Sequence, residues 1–280
     1  MQLLLISSFM HAAQVQTSEN QELGYNREIV AIIELIYGQN MLSQGGTAKI
    51  EEMFSGIDLN GKKALDIGSG LGGVDFYLAQ NYAIDITGID PENFIVNDAH
   101  KRLEQLKQSQ SFKGSVMFQH HTRGCSLSQF ADNTFDIVFS KEALLHVDFD
   151  QKAAYLKEMY RVLKPGGKLV ILDWLHTSPD YSVDVHEMMT IDAIAYNLIT
   201  PQEYTQQLET AGFSNICFAD LTEQYKNLTS DDCRKVEETK QAIVELFGDE
   251  TYRAYLKSWR IQLKAMADRE ILVCSFRAQK

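Results

Sequence analysis

Short apolar runs alternate with segments of helical period along most of this chain, and that alternation constrains the fold more than any single motif. "KKALDI" at 62–67, "AIDITGID" at 83–90, "SVMFQHH" at 115–121, "FDIVFS" at 135–140 and "KLVILDW" at 168–174 read as strands. Helical patterns separate them at "GVDFYLAQNY", at about 94–108 and at "QKAAYLKEMYRVL". Strands joined by helices at this rhythm cross over right-handedly and build a parallel sheet covered on both faces. In "LKPGGKL", Pro165 and Gly166–Gly167 stop a helix and turn the chain into the fifth strand. "FSNICFADL" at 213–221 and "EILVCSFRAQ" at 270–279 bring the number of strands to seven. The expected fold is α/β, a Rossmann-like, doubly wound, seven-stranded sheet.

Two helical stretches interrupt the rhythm, at about 178–200 and at 222–268, the second reading as a helix pair. Set over the carboxyl ends of the strands, where open α/β sheets bind ligands, they would form a substrate lid. Residues 21–44 and 47–55 are helical in pattern, with "YGQNMLSQGG" at 37–46 as a loop. The expected organisation is a 1–60 helical region with a cofactor-covering loop, then a 61–280 core carrying both insertions. "MQLLLISSFMHAAQ" has the apolar run of an export signal without its basic start, and reads as a helix or extension.

A net charge of -12 with no dense Lys/Arg run excludes a general nucleic-acid binder and points to a small-molecule partner. No other segment has the ~20 apolar residues of a membrane span. Cys125, Cys217, Cys233 and Cys274 are far apart and show no C-x-x-C pairing, so no metal site and no disulfide framework is expected. A cytoplasmic monomer is the default reading.

The chemistry begins at "ALDIGSGLGGVDFYLAQ". Gly68, Gly70 and Gly73 give G-x-G-x-x-G between a strand and a helix, and Asp90 closes the next strand. Such a turn serves a dinucleotide or a nucleoside-sulfonium cofactor equally well, with the acid taking the ribose hydroxyls in either. "LDIGSGLGG", with Asp66 before the glycines, resembles motif I of the class I S-adenosylmethionine-dependent methyltransferases. "GID", "FDIVFSKEALLHV" and "VLKPGGKLVILD" follow in that family's order, so the likeness covers residues 62–174. It implies S-adenosyl-L-methionine as cofactor, held by Asp66, Gly68, Ser69, Gly70, Gly72, Asp90, Pro91, Gly124, Cys125 and Ser140.

A closer resemblance extends to about residues 31–220. "YGQNMLSQGG", "SKEALLH" in place of S-R-D-x-I-L-H, and "AYNLIT" are similar to blocks of the phosphoethanolamine N-methyltransferases. This implies that Leu42 and Ser43 close over the cofactor, that Glu142 and His146 face the substrate amine, and that Tyr37, Met41, Trp174 and Tyr196 line the acceptor side. Glu142 and His146 also make chemical sense alone. Four residues apart, they project from one side of a helical turn, where a carboxylate orients an amine and an imidazole takes its proton.

Departures from the family pattern bear on the substrate. Ile33 aligns with a tyrosine that partners the histidine, Glu142 with an aspartate, Ile194 with a lid arginine and Trp174 with a tyrosine. Loss of the arginine and tyrosine removes charge-assisted hydrogen bonds to a phosphate. Arg253, Lys257, Arg260 and Lys264, spaced along one helical edge opposite Tyr252, Leu256, Trp259 and Leu263, are candidates to replace them. "HHTRGCSL" lacks an acid for the adenine amino group, leaving the Thr122 hydroxyl or backbone at Gly124 and Cys125. The expected activity is methyl transfer to a small amine, with a phosphobase as one candidate acceptor. The alternatives are O- or C-methylation of a small natural product and cofactor binding without transfer.

Overall fold

The computed structural model describes residues 25–122 and 124–280; the apolar N-terminal stretch lies outside these. Seven strands, β1 (Lys63–Ile67), β2 (Asp85–Asp90), β3 (Ser115–His120), β4 (Phe135–Lys141), β5 (Leu163–His176), β6 (Ser214–Asp220) and β7 (Ile271–Gln279), form one sheet. Their order is β3-β2-β1-β4-β5-β7-β6. After β3 the chain returns to the far side of β1, so the order reverses between β1 and β4. A crevice opens above such a switch point, at the carboxyl ends of the strands.

Alternation along the strands explains the two layers. Ala64, Ile86, Val116 and Ile137 stand in register on one face and pack under α2 (Gly46–Phe54), α3 (Gly73–Asn81) and α4 (Asn93–Ser109). Leu65, Val138 and Leu169 form the opposite row, buried under α5 (Phe149–Val162) and α7 (Pro201–Ala211). α7 starts at a capping box, in which the Thr200 hydroxyl and the Glu203 carboxylate satisfy each other's backbone N–H groups.

The expectation of a wholly parallel sheet is corrected at one strand. β7 runs antiparallel to both β5 and β6. The insertion after β6 is also three helices rather than a pair: α8 (Thr222–Glu238), α9 (Lys240–Phe247) and α10 (Asp249–Ala267). α10 delivers the chain to Ile271, opposite His176 at the carboxyl end of β5. From there the last strand can only run back down the sheet.

α1 (Arg27–Tyr37) completes the cap. Asn26 accepts the Ile29 N–H at 2.9 Å, and the chain leaves the helix at Gly38, whose φ of 103° suits glycine. The apolar side of α1, Ile29, Ile32 and Ile36, packs with Val236 of α8, Ile243 of α9 and Trp259 of α10. The remaining lid helix, α6 (Val183–Asp192), lies against α10. On its other side α1 carries Glu34, buried and clamped by the two nitrogens of Arg102 on α4 at 2.6 and 2.9 Å. Removing Arg102 strands that carboxylate. Arg102→Ala is expected to cost about 3 kcal/mol, read as a lower urea midpoint with unchanged m value; an unchanged midpoint would show that α1 docks by apolar contact alone.

Candidate active site

The crevice at the switch point holds a cavity of about 260 Å³, lined by the turn after β1, the ends of β2 and β4 and the loop between α1 and α2. The turn demands glycine where other backbone approaches it. Gly68 has φ of 78°, and a Cβ there would sit 2.2 Å from that of Ala143. At Gly73 it would lie 2.5 Å from the Asn40 carbonyl oxygen. Asp90 is braced into the cavity: its carboxylate accepts the Gly70 N–H at 3.0 Å and the Glu92 N–H at 2.9 Å.

Lys141 ends β4 inside the protein. Its Nζ donates to Ser43 Oγ at 2.6 Å, to the Gln44 carbonyl at 2.7 Å and to Glu142 Oε1 at 3.1 Å. Burial holds its pKa below the ordinary lysine value, with Glu142 opposing that shift. Glu142 also accepts from the Tyr225 hydroxyl at 2.8 Å. Its backbone is left-handed, with φ of 55°, a conformation uncommon for non-glycine residues that turns the chain sharply off the strand.

His146 follows at the end of a 3₁₀ turn (Leu144–His146). Nδ1 lies 2.7 Å from the Ala195 carbonyl oxygen, which can only accept, so Nδ1 carries a proton, and whenever the ring is neutral its lone pair is on Nε2. Tyr25 meets this ring edge-on at 5.8 Å, and Tyr196 lies 5.8 Å from its other side.

A second cavity of about 60 Å³ opens beside the first. Tyr25, Leu42, Glu142, His146 and Ile194 line both. The smaller chamber adds Tyr37, Trp174, Asp192, Tyr196, Tyr255, Trp259 and Gln262. Asp192 accepts from the Ser258 hydroxyl at 2.5 Å and the Tyr196 hydroxyl at 2.7 Å. Burial nevertheless pushes its carboxyl up to about 6.

The residues singled out in the sequence therefore divide in two. Leu42, Ser43, Asp66, Gly68, Ser69, Gly70, Asp90, Pro91, Gly124 and Met41 line the larger cavity. Tyr37, Trp174 and Tyr196 line the smaller, and Glu142 and His146 stand between the two. Gly72, Cys125 and Ser140 do not reach either lining. Gly72 caps α3 against Phe76 and Phe118. Cys125 faces a shallow recess beside Glu158. Ser140 points into the sheet, donating to the Ile67 carbonyl at 2.9 Å.

Two further residues change the picture. Tyr25, which precedes α1, meets the His146 ring alongside Tyr196, whereas Ile33 lines only the smaller chamber. At the far end of the larger cavity, His121 takes the place where no acid stands. Gln129 engages its Nδ1 at 3.0 Å, and its Nε2 has no partner among the described residues. Thr122 is exposed outside the lining.

Beneath the glycine turn, Asp66 of β1 and Asp75 of α3 are fully buried against each other. Burial raises both above the ordinary carboxylate range, and the like charge raises Asp66 further. The folded protein thus retains a proton that the unfolded chain releases. Stability from this pair is complete in acid and lost as pH rises through the raised values. Asp75→Asn supplies a permanent N–H instead. The variant's melting temperature is expected to fall less between pH 5 and pH 9 than that of the native protein, by about 2–4 °C for each kcal/mol retained; parallel curves would show that the pair shares no proton.

A methyltransferase domain family matches residues 65–171. Phosphoethanolamine N-methyltransferase 3 of Arabidopsis thaliana is 32% identical over 235 residues, which is 82% of this chain and 45% of that protein. The chain thus spans less than half the length of this plant relative. The phosphoethanolamine N-methyltransferase of Plasmodium falciparum is 30% identical over 241 residues, 86% of this chain and 87% of that one. Among solved structures, phosphoethanolamine N-methyltransferase 2 of Haemonchus contortus, in complex with phosphomonomethylethanolamine and S-adenosylhomocysteine, superposes with a TM-score of 0.77 at 23% identity, over 98% of this chain and 60% of that one. The mycobacterial cyclopropane synthase MmaA2 gives the same TM-score at 16% identity, so the fold is shared well beyond one chemistry. With the Plasmodium protein matched along nearly the whole of both chains, this protein belongs to the phosphoethanolamine N-methyltransferase family.

Proposed function

We propose that the protein is an S-adenosylmethionine-dependent methyltransferase, taking the cofactor in the larger cavity and the amine of a small acceptor in the smaller one. The observation that carries this reading is the position of Glu142 and His146, which line both cavities where the two meet. Buried atoms in the larger cavity suit the cofactor's polar groups: Ser69 Oγ and His121 Nε2 have no partner among the described residues. Asp66 and Ser69 would hold the amino-acid end, Asp90 the ribose, and His121 with Gly124 the adenine. When bound, the cofactor supplies a methyl group already activated by its sulfonium charge.

The chain's own part is alignment and proton handling. Leu42 and Ser43 cover the cavity, and Lys141 fixes the loop that carries them. The Ala195 carbonyl holds His146 in the tautomer whose Nε2 accepts the amine proton. Glu142, anchored by Lys141 and Tyr225, orients the ammonium before that transfer. Leu42 and Ile194 exclude water from the junction. No described helix is long and apolar enough to cross a membrane. The reading also takes the enzyme as a cytoplasmic monomer, a compartment that suits its unpaired cysteines.

Two substitutions separate cofactor binding from transfer. His146→Ala is expected to lower kcat by about 10²-fold or more while calorimetric affinity for S-adenosylmethionine stays within about twofold; full turnover would make the histidine a packing residue. Asp90→Ala is expected to weaken cofactor binding by about tenfold to a hundredfold, the value of hydrogen bonds to a charged group. An unchanged affinity would place the ribose elsewhere.

A further inference from the structure

The smaller chamber is built for charge of one sign. Among the described residues its lining contains no lysine or arginine, while two carboxylates, Asp192 and Glu142, face it. The basic edge of α10 does not compensate. Arg253, Lys257, Arg260 and Lys264 are 77%, 54%, 61% and 60% exposed on the outer side. They pair there with Asp249, Glu187, Glu237 and Asp184. The inner side of α10 instead presents Tyr255, Trp259 and Gln262 to the chamber. Lys141, buried beside Glu142, lines only the neighbouring cavity and already donates to three oxygens.

A phosphate placed here would lose its hydration without a cationic partner, a cost that burial of an unpaired charge makes prohibitive. An ammonium meets carboxylates and aromatic faces, both of which attract it.

Three polar atoms in the lining remain unmatched. Gln262 Oε1, Trp174 Nε1 and Trp259 Nε1 are buried without a partner among the described residues, one an acceptor and two donors. A hydroxyl donates once and can accept twice. We infer that the acceptor is a small amino alcohol carrying no phosphate, its ammonium toward Glu142 and His146 and its hydroxyl toward Gln262 and Trp174. This rests on the methyltransferase reading above. As the amine nitrogen takes the methyl, the sulfur keeps the pair of the broken C–S bond and the amine proton passes to His146 Nε2.

The test uses the full chain, following S-adenosylhomocysteine release with ethanolamine, N-methylethanolamine, N,N-dimethylethanolamine, the three corresponding phosphate esters, and glycine. The expected result is a kcat/KM at least about tenfold higher for an amino alcohol than for its phosphate ester or for glycine, with Gln262→Leu raising the amino-alcohol KM about tenfold and leaving cofactor affinity unchanged. Phosphate esters turned over as well as or better than the alcohols would overturn the inference, as would turnover of no acceptor by protein that binds S-adenosylmethionine, or a Gln262→Leu variant with native KM. Failure to bind S-adenosylmethionine by calorimetry would instead overturn the methyltransferase reading beneath it.

Discussion

The ammonium of Lys141 is the contact on which the site depends. A lysine has three donors, and here each finds an oxygen: the Ser43 hydroxyl, the Gln44 carbonyl and the Glu142 carboxylate. The first two belong to the loop after α1 and the third to the turn after β4, almost a hundred residues away. One buried cation therefore ties the loop that lines the cavity to the turn that carries Glu142 and leads to His146. Its desolvation is offset only while all three partners stay in place, which makes the arrangement all-or-none. Gly73 adds a steric condition, since the same loop rests its Asn40 carbonyl where a side chain would otherwise lie.

From this clamp the rest of the geometry follows. The left-handed backbone at Glu142 turns the chain off β4, so that His146 comes round to the Ala195 carbonyl. Residue 195 belongs to the connection after α6, and α6 itself is held by the Ser258 hydroxyl of α10 through Asp192. The lid is thus read by the site through hydrogen bonds as well as through the apolar cluster that α1, α8, α9 and α10 share. Two chambers result, one bounded by the glycine turn and Asp90, the other aromatic and acidic.

How far the sequence revealed this differs by residue, for physical reasons. The placement of the strand–glycine–helix unit, Asp90, Glu142 and His146 was legible from local order: each sits at or just beyond the end of a strand, and strand ends meet at the crevice. Tyr25 was not, because it lies before α1, where no helical spacing reaches it, and only the fold sets it beside His146. Ser140 lies outside both linings because the pleat turns its hydroxyl to the Ile67 carbonyl. The antiparallel β7 was hidden because strand direction depends on where the preceding helices end. The basic edge of α10 was visible as a stripe, but only the fold shows that the stripe faces water and that Tyr255, Trp259 and Gln262 face inward.

The most direct measurement is a crystal structure of the full chain with S-adenosylhomocysteine bound. The account predicts the adenine beside His121, the ribose hydroxyls on Asp90, and the sulfur at the opening where Glu142 and His146 line both chambers. A sulfur directed away from His146, or a nucleoside lodged outside the cavity formed by the glycine turn, would contradict it.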